Sequence, residues 1–252
     1  MTGAALLSNL LWIINSHSPF KEESDLASQL PNWNFHFEQD GDLSLYKINQ
    51  HIRREEIHFL LLTREWESKF IDQTRRISRE NPLLTIIYCN AQLRDLEFAE
   101  LYTAGINYCI IGDARFINLV RTLNELWDNH WRRVPQHLIS YAQKNNATWL
   151  KDTLNFIEKK PIKQFNVHYL SRYFNVSENQ FRTEFKIQFG ESFRTFKQQL
   201  FQHYEDILLF EKKLKPKEVY RYLSYKNLSA FSRSFKTRHG RSWQEYMRNP
   251  VR

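Results

Sequence analysis

A chain of 252 residues is long enough for two packed cores, and 42% hydrophobic residues with 15% aromatics exclude wholesale disorder. The net charge of +8 is unevenly placed: residues 1–130 carry 12 Lys/Arg against 18 Asp/Glu, and residues 131–252 carry 24 against 10. An acidic half joined to a strongly basic half is the electrostatic footprint expected of a phosphate-binding surface on the second.

Two cysteines, Cys89 and Cys109, argue against a disulfide framework and fit a reducing compartment. Both lie in apolar runs, where a thiol behaves as a small buried hydrophobe. No uninterrupted apolar stretch approaches the ~18–20 residues of a membrane span. The apolar opening at residues 4–14 lacks the preceding positive charge and the small-residue cleavage site of a secretory leader, so a cytoplasmic location is expected. No metal-ligand spacing and no Gly-rich phosphate loop is present, so no cofactor, no metal and no catalytic residue is expected.

From residue 10 to residue 127 short apolar runs alternate with amphipathic segments. Strands are predicted at 10–14, 33–37, 58–62, 85–89 and 108–111, and helices at 20–30, 42–54, 67–80, 92–103 and 114–130. The strand segments are continuously apolar rather than alternating, as strands covered on both faces are. Strand–helix alternation with such strands predicts a doubly wound α/β domain over residues 1–130.

Five such units, with the stretch AGINYCIIGD at 104–113 leading into and out of the last strand, resemble a flavodoxin-like response-regulator receiver domain. In that family an acidic pair after the first strand holds Mg²⁺, and an Asp ending the third strand accepts a phosphoryl group. A Thr or Ser after the fourth strand and a Lys after the fifth contact it. Here the acidic pair becomes Asn15 and Ser16, the acceptor Thr63, the hydroxyl position Asn90 and the Lys Gly112. Neither Asn nor Ser supplies the anionic oxygens that Mg²⁺ needs, and Thr63 has no carboxylate, so phosphoryl transfer is not expected. Glu65 is the nearest alternative acceptor, beyond the strand end.

Receivers pair through their fourth and fifth helices, and the predicted last helix carries Phe116, Leu119, Val120, Leu123 and Trp127 at helical spacing. This stripe either packs on the domain's own sheet or meets a second copy. Leu119, Leu123 and Trp127 are the dimerisation candidates, and a homodimer with a regulatory protein partner is the expected assembly.

Residues 131–148 form a connector in which Pro135 opens a helix over about 135–144, and Asn145-Asn146 ends it. Trp131, Arg132 and Arg133 face either domain surface or DNA backbone.

Residues 149–252 contain one pattern twice. The first copy is VHYLSRYFNVSENQFRTEFKIQFG at 167–190, and the second is KEVYRYLSYKNLSAFSRSFKTRHG at 217–240. Each is a short helix, a turn, and a second helix carrying Phe-x-x-x-Phe-Lys with a Gly soon after. The helices are predicted at 166–174 and 178–188, then at 215–223 and 228–238, joined by a long helix at 191–210. Ser177 and Asn227 are the predicted N-caps. Phe181 and Phe185 face inward, as do Phe231 and Phe235.

This doubled pattern resembles the all-α DNA-binding domain of AraC/XylS-type transcription regulators, with two helix-turn-helix units. The resemblance implies that helices 178–188 and 228–238 enter successive major grooves of duplex DNA ~34 Å apart. Asn179, Arg182 and Thr183 in the first unit, and Ser229 and Arg233 in the second, are the base-reading candidates. Arg can bond guanine O6 and N7 together, and Asn can do so with adenine N6 and N7. Lys186, Arg194, Lys236, Arg238 and Arg241 are the candidates for the DNA backbone. The chain departs from the pattern in its second unit, where Val219-Tyr220 replaces Ile-Ala and Ser224-Tyr225 replaces Gly-Phe. In the long helix, Phe201 and Glu205 stand where Arg and Ala are usual. Tyr220 implies a shifted packing angle or an altered turn, and Ser224 must adopt a backbone conformation that Gly reaches more easily. The whole reads as a sequence-specific, phosphorylation-independent regulator rather than an enzyme; the alternative is a protein-interaction adaptor with a weakened second unit.

Overall fold

The computed structural model describes residues 9–14, 26, 28–31, 33–39, 44–63, 68–145 and 147–248. Two compact units divide the chain, residues 1–130 and 131–252.

The first unit is built on five parallel strands: β1 (Asn9–Ile14), β2 (Asn34–Gln39), β3 (Phe59–Thr63), β4 (Thr85–Asn90) and β5 (Tyr108–Ile111). Their order in the sheet is β2-β1-β3-β4-β5, the doubly wound order of the flavodoxin-like fold. Helices α1 (Leu45–Arg54), α2 (Ser68–Glu80), α3 (Asp95–Thr103) and α4 (Arg115–Asp128) alternate with the strands. Within the predicted helix at 20–30, residues 26, 28 and 29 are helical and most of the rest lies outside the described residues.

The two-residue period of a strand sends neighbouring side chains to opposite faces, which is why the central strands β1, β3 and β4 are apolar along most of their length, whereas the edge strand β2 carries Asn34, His36, Glu38 and Gln39. Leu11, Ile13, Leu60 and Leu62 pack with Ile48 and Ile52 of α1, Phe70 and Ile77 of α2 and Leu101 of α3. Leu10, Trp12, Phe59, Leu61 and Cys89 pack on the other face with Leu119 and Leu123 of α4. Leu119 and Leu123 are therefore core residues of their own domain, fully buried, and cannot form a dimer surface. Trp127 packs partly buried on the same core with its ring beside Trp33. Of the two readings of this stripe, intradomain packing is the one realised. Burial pushes the Cys109 thiol up to about 11, so it behaves as a hydrophobe rather than a nucleophile.

The second unit is helical: α5 (Gln136–Asn145), α6 (Ala147–Lys159), α7 (Val167–Tyr173), α8 (Glu178–Phe189), α9 (Phe193–Asp206), α10 (Pro216–Tyr222), α11 (Leu228–His239) and α12 (Trp243–Arg248). The predicted long helix at 191–210 is α9 running into a π-helical turn at Ile207–Glu211, closed by Lys212 N–H donating to Ile207 O. Helices α6 and α12 were not predicted from sequence.

The connector is structural. Trp131 is buried with its ring edge-on to Tyr204. Arg132, also buried, donates to the carbonyls of Ile157 and Lys160 at 2.7 and 2.6 Å and so satisfies the free C-terminal end of α6. Arg133 pairs with Glu158 at 2.7 Å. These three residues take part in the packing of the second unit.

Candidate nucleic-acid interface

The two helix-turn-helix units are alike in detail. Ser177 Oγ accepts from Gln180 N–H at the start of α8, and Asn227 Oδ1 accepts from Ala230 N–H at the start of α11. Both helices end on a left-handed glycine, Gly190 at φ 75° and Gly240 at φ 74°. A Cβ on Gly190 would lie 3.1 Å from the ring of Tyr141, so α5 packs close against the end of α8. In α8, Phe185 stacks on Phe189 at 4.1 Å; in α11, Phe235 stacks on His239 at 4.0 Å. His239 is thus the second unit's counterpart of Phe189.

Each turn also carries a residue in the left-handed region, Asn175 at φ 54° and Ser224 at φ 57°. Each is followed by a long-range closure, Val176 N–H to Ser171 O and Tyr225 N–H to Tyr220 O. These are Schellman-type ends built without glycine. From the end of the first helix to the next N-cap, the second unit runs one residue further than the first. Tyr225 fills the space the turn leaves, with its ring against Phe201 and Phe231.

With Phe181, Phe185, Phe231 and Phe235 fully buried, the opposite faces of α8 and α11 meet solvent. Asn179, Arg182, Thr183 and Lys186 are exposed on α8, and Arg194 on α9. Arg182 donates to Glu178 at 2.8 Å and to Asn179 at 3.0 Å, while His168 lies 3.5 Å from the same Glu178. The guanidinium is therefore held extended beside Asn179, and its fork must turn from these partners to reach a base. Ile187 is 57% exposed on the same face, a residue sequence reading passed over. It forms, with Val167 and Phe193, the apolar floor of a cleft of about 400 Å³ rimmed by Arg182, Lys186 and Arg194.

On α11, Leu228, Ser229, Arg233 and Lys236 are exposed. Arg238 is not: its side chain is 7% exposed and pairs with Glu205, which is wholly buried. It also donates to Ser234 Oγ and to the Tyr225 hydroxyl. An arginine so consumed cannot also hold a phosphate, so its expected role at the DNA backbone is corrected to an interior one. Arg241 is half-buried with its guanidinium 4.5 Å above the ring of Tyr246.

In the first unit Thr63 ends β3 and is buried, with Oγ1 accepting from the Trp12 indole N–H at 2.8 Å. Asn90 ends β4, where its side chain donates to the Tyr88 hydroxyl and accepts from Ala91 N–H. Gly112 follows β5 at φ 98°. Asn15, Ser16 and Glu65 lie outside the described residues.

The family of helix-turn-helix domains matches residues 170–249. This stretch is an AraC-type helix-turn-helix domain. The chain is a DNA-binding transcription regulator in which that domain follows a unit of flavodoxin-like fold. No curated protein matches it. Among solved structures, a putative pilus assembly-related protein from Burkholderia pseudomallei is similar at 13% identity and TM-score 0.42, over 49% of this chain and 92% of its own. A CheY-like protein, tadZ, from Pseudomonas aeruginosa is similar at 14% and 0.38, over 47% and 98%. The RcsB response regulator from Salmonella typhimurium is similar at 13% and 0.38, over 86% and 99%. Among the described residues no helix is long and apolar enough to cross a membrane.

Proposed function

We propose that this regulator reads specific duplex DNA with both α8 and α11, as a dimer, and without phosphorylation. The observation that carries the reading is the duplicated presentation of one helix face. Two capped helices, each pinned by buried phenylalanines, leave Asn179, Arg182 and Thr183 on one and Ser229 and Arg233 on the other in solvent. Lys186, Arg194 and Lys236 lie on the same exposed surfaces, where cations set register on phosphates without specifying sequence.

Independence from phosphorylation is supported by the chemistry at the strand ends. Thr63, at the acceptor position, has its hydroxyl engaged by Trp12 and is shut from solvent, and Asn90 and Gly112 supply neither the hydroxyl nor the cation that would hold a phosphoryl group. Dimerisation is supported by residues of the fourth and fifth predicted helices, here α3 and α4, other than the Leu119, Leu123 and Trp127 expected. Phe98 and Tyr102 of α3, Tyr108 of β5 and Ile117 of α4 are exposed around the free edge of the sheet. Large apolar groups gathered on one edge mark an association surface. Two copies would then join their DNA sites by effective concentration.

The test is selection of bound fragments from genomic DNA by the full-length protein, titrated against salt. Enrichment of a bipartite motif with one-turn spacing, with Arg182→Ala erasing preference in one half, is the expected result. Salt-dependent binding with no enriched motif would replace it with the adaptor reading. That second reading is favoured by one observation, the withdrawal of Arg238 into the interior of the second unit.

A further inference from the structure

The second helix-turn-helix holds a buried ionic network that the first, among the described residues, does not share. Glu205, near the end of α9, is 0% exposed. Its Oε2 accepts from Arg238 Nε at 3.0 Å and lies 3.2 Å from His239 Nε2, and its Oε1 meets the other arm of the guanidinium. The Tyr225 hydroxyl accepts from Arg238 Nη2 at 2.7 Å and donates to Oε1 at 3.4 Å. One carboxylate therefore grips two residues of the last turn of α11 and one residue of the turn before it. The equivalent end of α8 is aromatic, where Phe189 lies on Phe185 and against Phe196.

The difference has a geometric consequence. Ring–ring contacts tolerate several geometries, stacked or edge-on, and so fix the roll of a helix less sharply than a charged hydrogen-bonded pair does. A two-point contact between a guanidinium and a carboxylate is directional, because the planar fork accepts one orientation. Arg238 is five residues beyond Arg233, about 7.5 Å along the same helix. Whatever fixes the roll of α11 at Arg238 and His239 therefore fixes the angle at which Leu228, Ser229 and Arg233 leave it. Glu205 is also the place where the resembling family carries a small alanine, so the network comes with this chain's own substitutions, Glu205 and Tyr225 among them.

We propose that Glu205 is a positioning residue for DNA reading by the second unit: from the interior it sets the roll of α11, so that Ser229 and Arg233 meet the groove at a fixed angle. The proposal rests on the reading in which both units recognise bases. It predicts that base preference in the second half-site depends on a side chain that never faces DNA.

The test uses full-length protein, the bipartite site selected by the wild type, and versions of that site with either half scrambled. Thermal unfolding is measured alongside. Two variants are compared, Glu205→Gln and the apolar pair Glu205→Leu with Arg238→Met. In Glu205→Gln the penalty for scrambling the second half is expected to fall about tenfold or more, with the first-half penalty unchanged. In the apolar pair thermal stability is expected to return to the wild-type value or above, since buried ion pairs are often replaced by hydrophobic residues without loss. The second-half penalty is expected to stay lost. A Glu205→Gln protein with the full second-half penalty overturns the proposal. So does an apolar pair that recovers reading together with stability, which would make Glu205 a support of the fold alone. If Glu205→Gln does not fold, the apolar pair decides by the same comparison. A wild type that shows no second-half penalty defeats the two-unit reading itself, and this proposal with it.

Discussion

Trp12 in β1 donates its indole N–H to Thr63 Oγ1 in β3 at 2.8 Å, across two adjacent strands in the floor of the first unit's sheet. The bond closes the end of β3 where a receiver would keep a solvated carboxylate. Thr63→Val is expected to remove this hydrogen bond and to lower stability by about 1 kcal/mol. Acetyl phosphate or beryllofluoride added to the full-length protein is expected to change neither the Trp fluorescence nor the oligomeric state. A beryllofluoride response that survives in Thr63→Ala would place an acceptor elsewhere and sink phosphorylation independence.

Lys236 and Arg238 lie two residues apart on α11 and are expected to differ in their effect on the salt dependence of binding. Lys236 is exposed, and each phosphate contact contributes about −0.9 to the slope of log K against log salt. Lys236→Ala is expected to flatten the slope by about that amount. Arg238→Met is expected to leave the slope unchanged and to lower stability by about 3–5 kcal/mol, because Glu205 remains buried without its charge partner. Equal flattening by both would return Arg238 to the DNA surface.

These two residues also show where sequence reading succeeds and where it stops. Phe181, Phe185, Phe231 and Phe235 were legible as inward-facing because helical spacing decides which face a residue takes. Ser177, Asn227 and the two glycines were legible because caps have local chemistry. Arg238 was misread because its position is at the edge of the outward face. What draws it inside is Glu205, 33 residues earlier in the chain, and no local pattern reports that pairing. Leu119 and Leu123 failed for the opposite reason: an apolar stripe says that something covers it, not what. Helix α6 carries a readable stripe in Leu150, Phe156 and Ile157, but Asn145-Asn146 marks only the end of the helix before it and says nothing of the one that follows. The chain resumes a new helix within two residues.

Ser224 sits at φ 57°, in the region that L-residues enter at a cost of about 1–2 kcal/mol. Its amide donates to Arg221 O and the next amide, Tyr225 N–H, closes onto Tyr220 O, which holds the turn in this conformation. Ser224→Gly is expected to raise stability by about 0.5–1 kcal/mol, the relief of strain being partly offset by the greater freedom of glycine in the unfolded chain. Gly190→Ala is expected to do the reverse, since it adds both a positive-φ strain and a Cβ 3.1 Å from Tyr141. Denaturant midpoints of the two variants check the pair. A Ser224→Gly protein less stable than wild type would show that the hydroxyl contributes more than the backbone loses.

Tyr102 and Ile117 are 80% and 76% exposed, and on α4 Ile117 is only two residues from the buried Leu119. If the edge formed by α3, β5 and α4 is the dimer surface, Tyr102→Asp with Ile117→Asp is expected to yield a folded monomer by light scattering. Cooperative DNA binding should be lost with it, and affinity for a single site kept. Leu119→Asp is expected to unfold the first unit, because it places a charge in a fully buried position. A dimer that survives both surface substitutions would move the interface elsewhere.

His36 is expected to contribute to the pH dependence of stability. It lies half-buried in β2, the strand at the opposite edge of the sheet, with its Nε2 3.0 Å from Asn34 Nδ2 and its ring 5.4 Å from that of His51. Burial, and then the charge of His51, hold its imidazolium below the ordinary 6.5. As the pH falls below 6.5 the unfolded chain takes up this proton before the folded one does, so stability falls. Above 6.5 both states are neutral at this site and nothing changes. Amide hydrogen exchange in β1 and β2 of the full-length protein is expected to quicken between pH about 7 and about 5, after correction for the intrinsic rate. His36→Gln should remove part of that dependence. An unchanged dependence in that variant would shift the effect to other titrating groups.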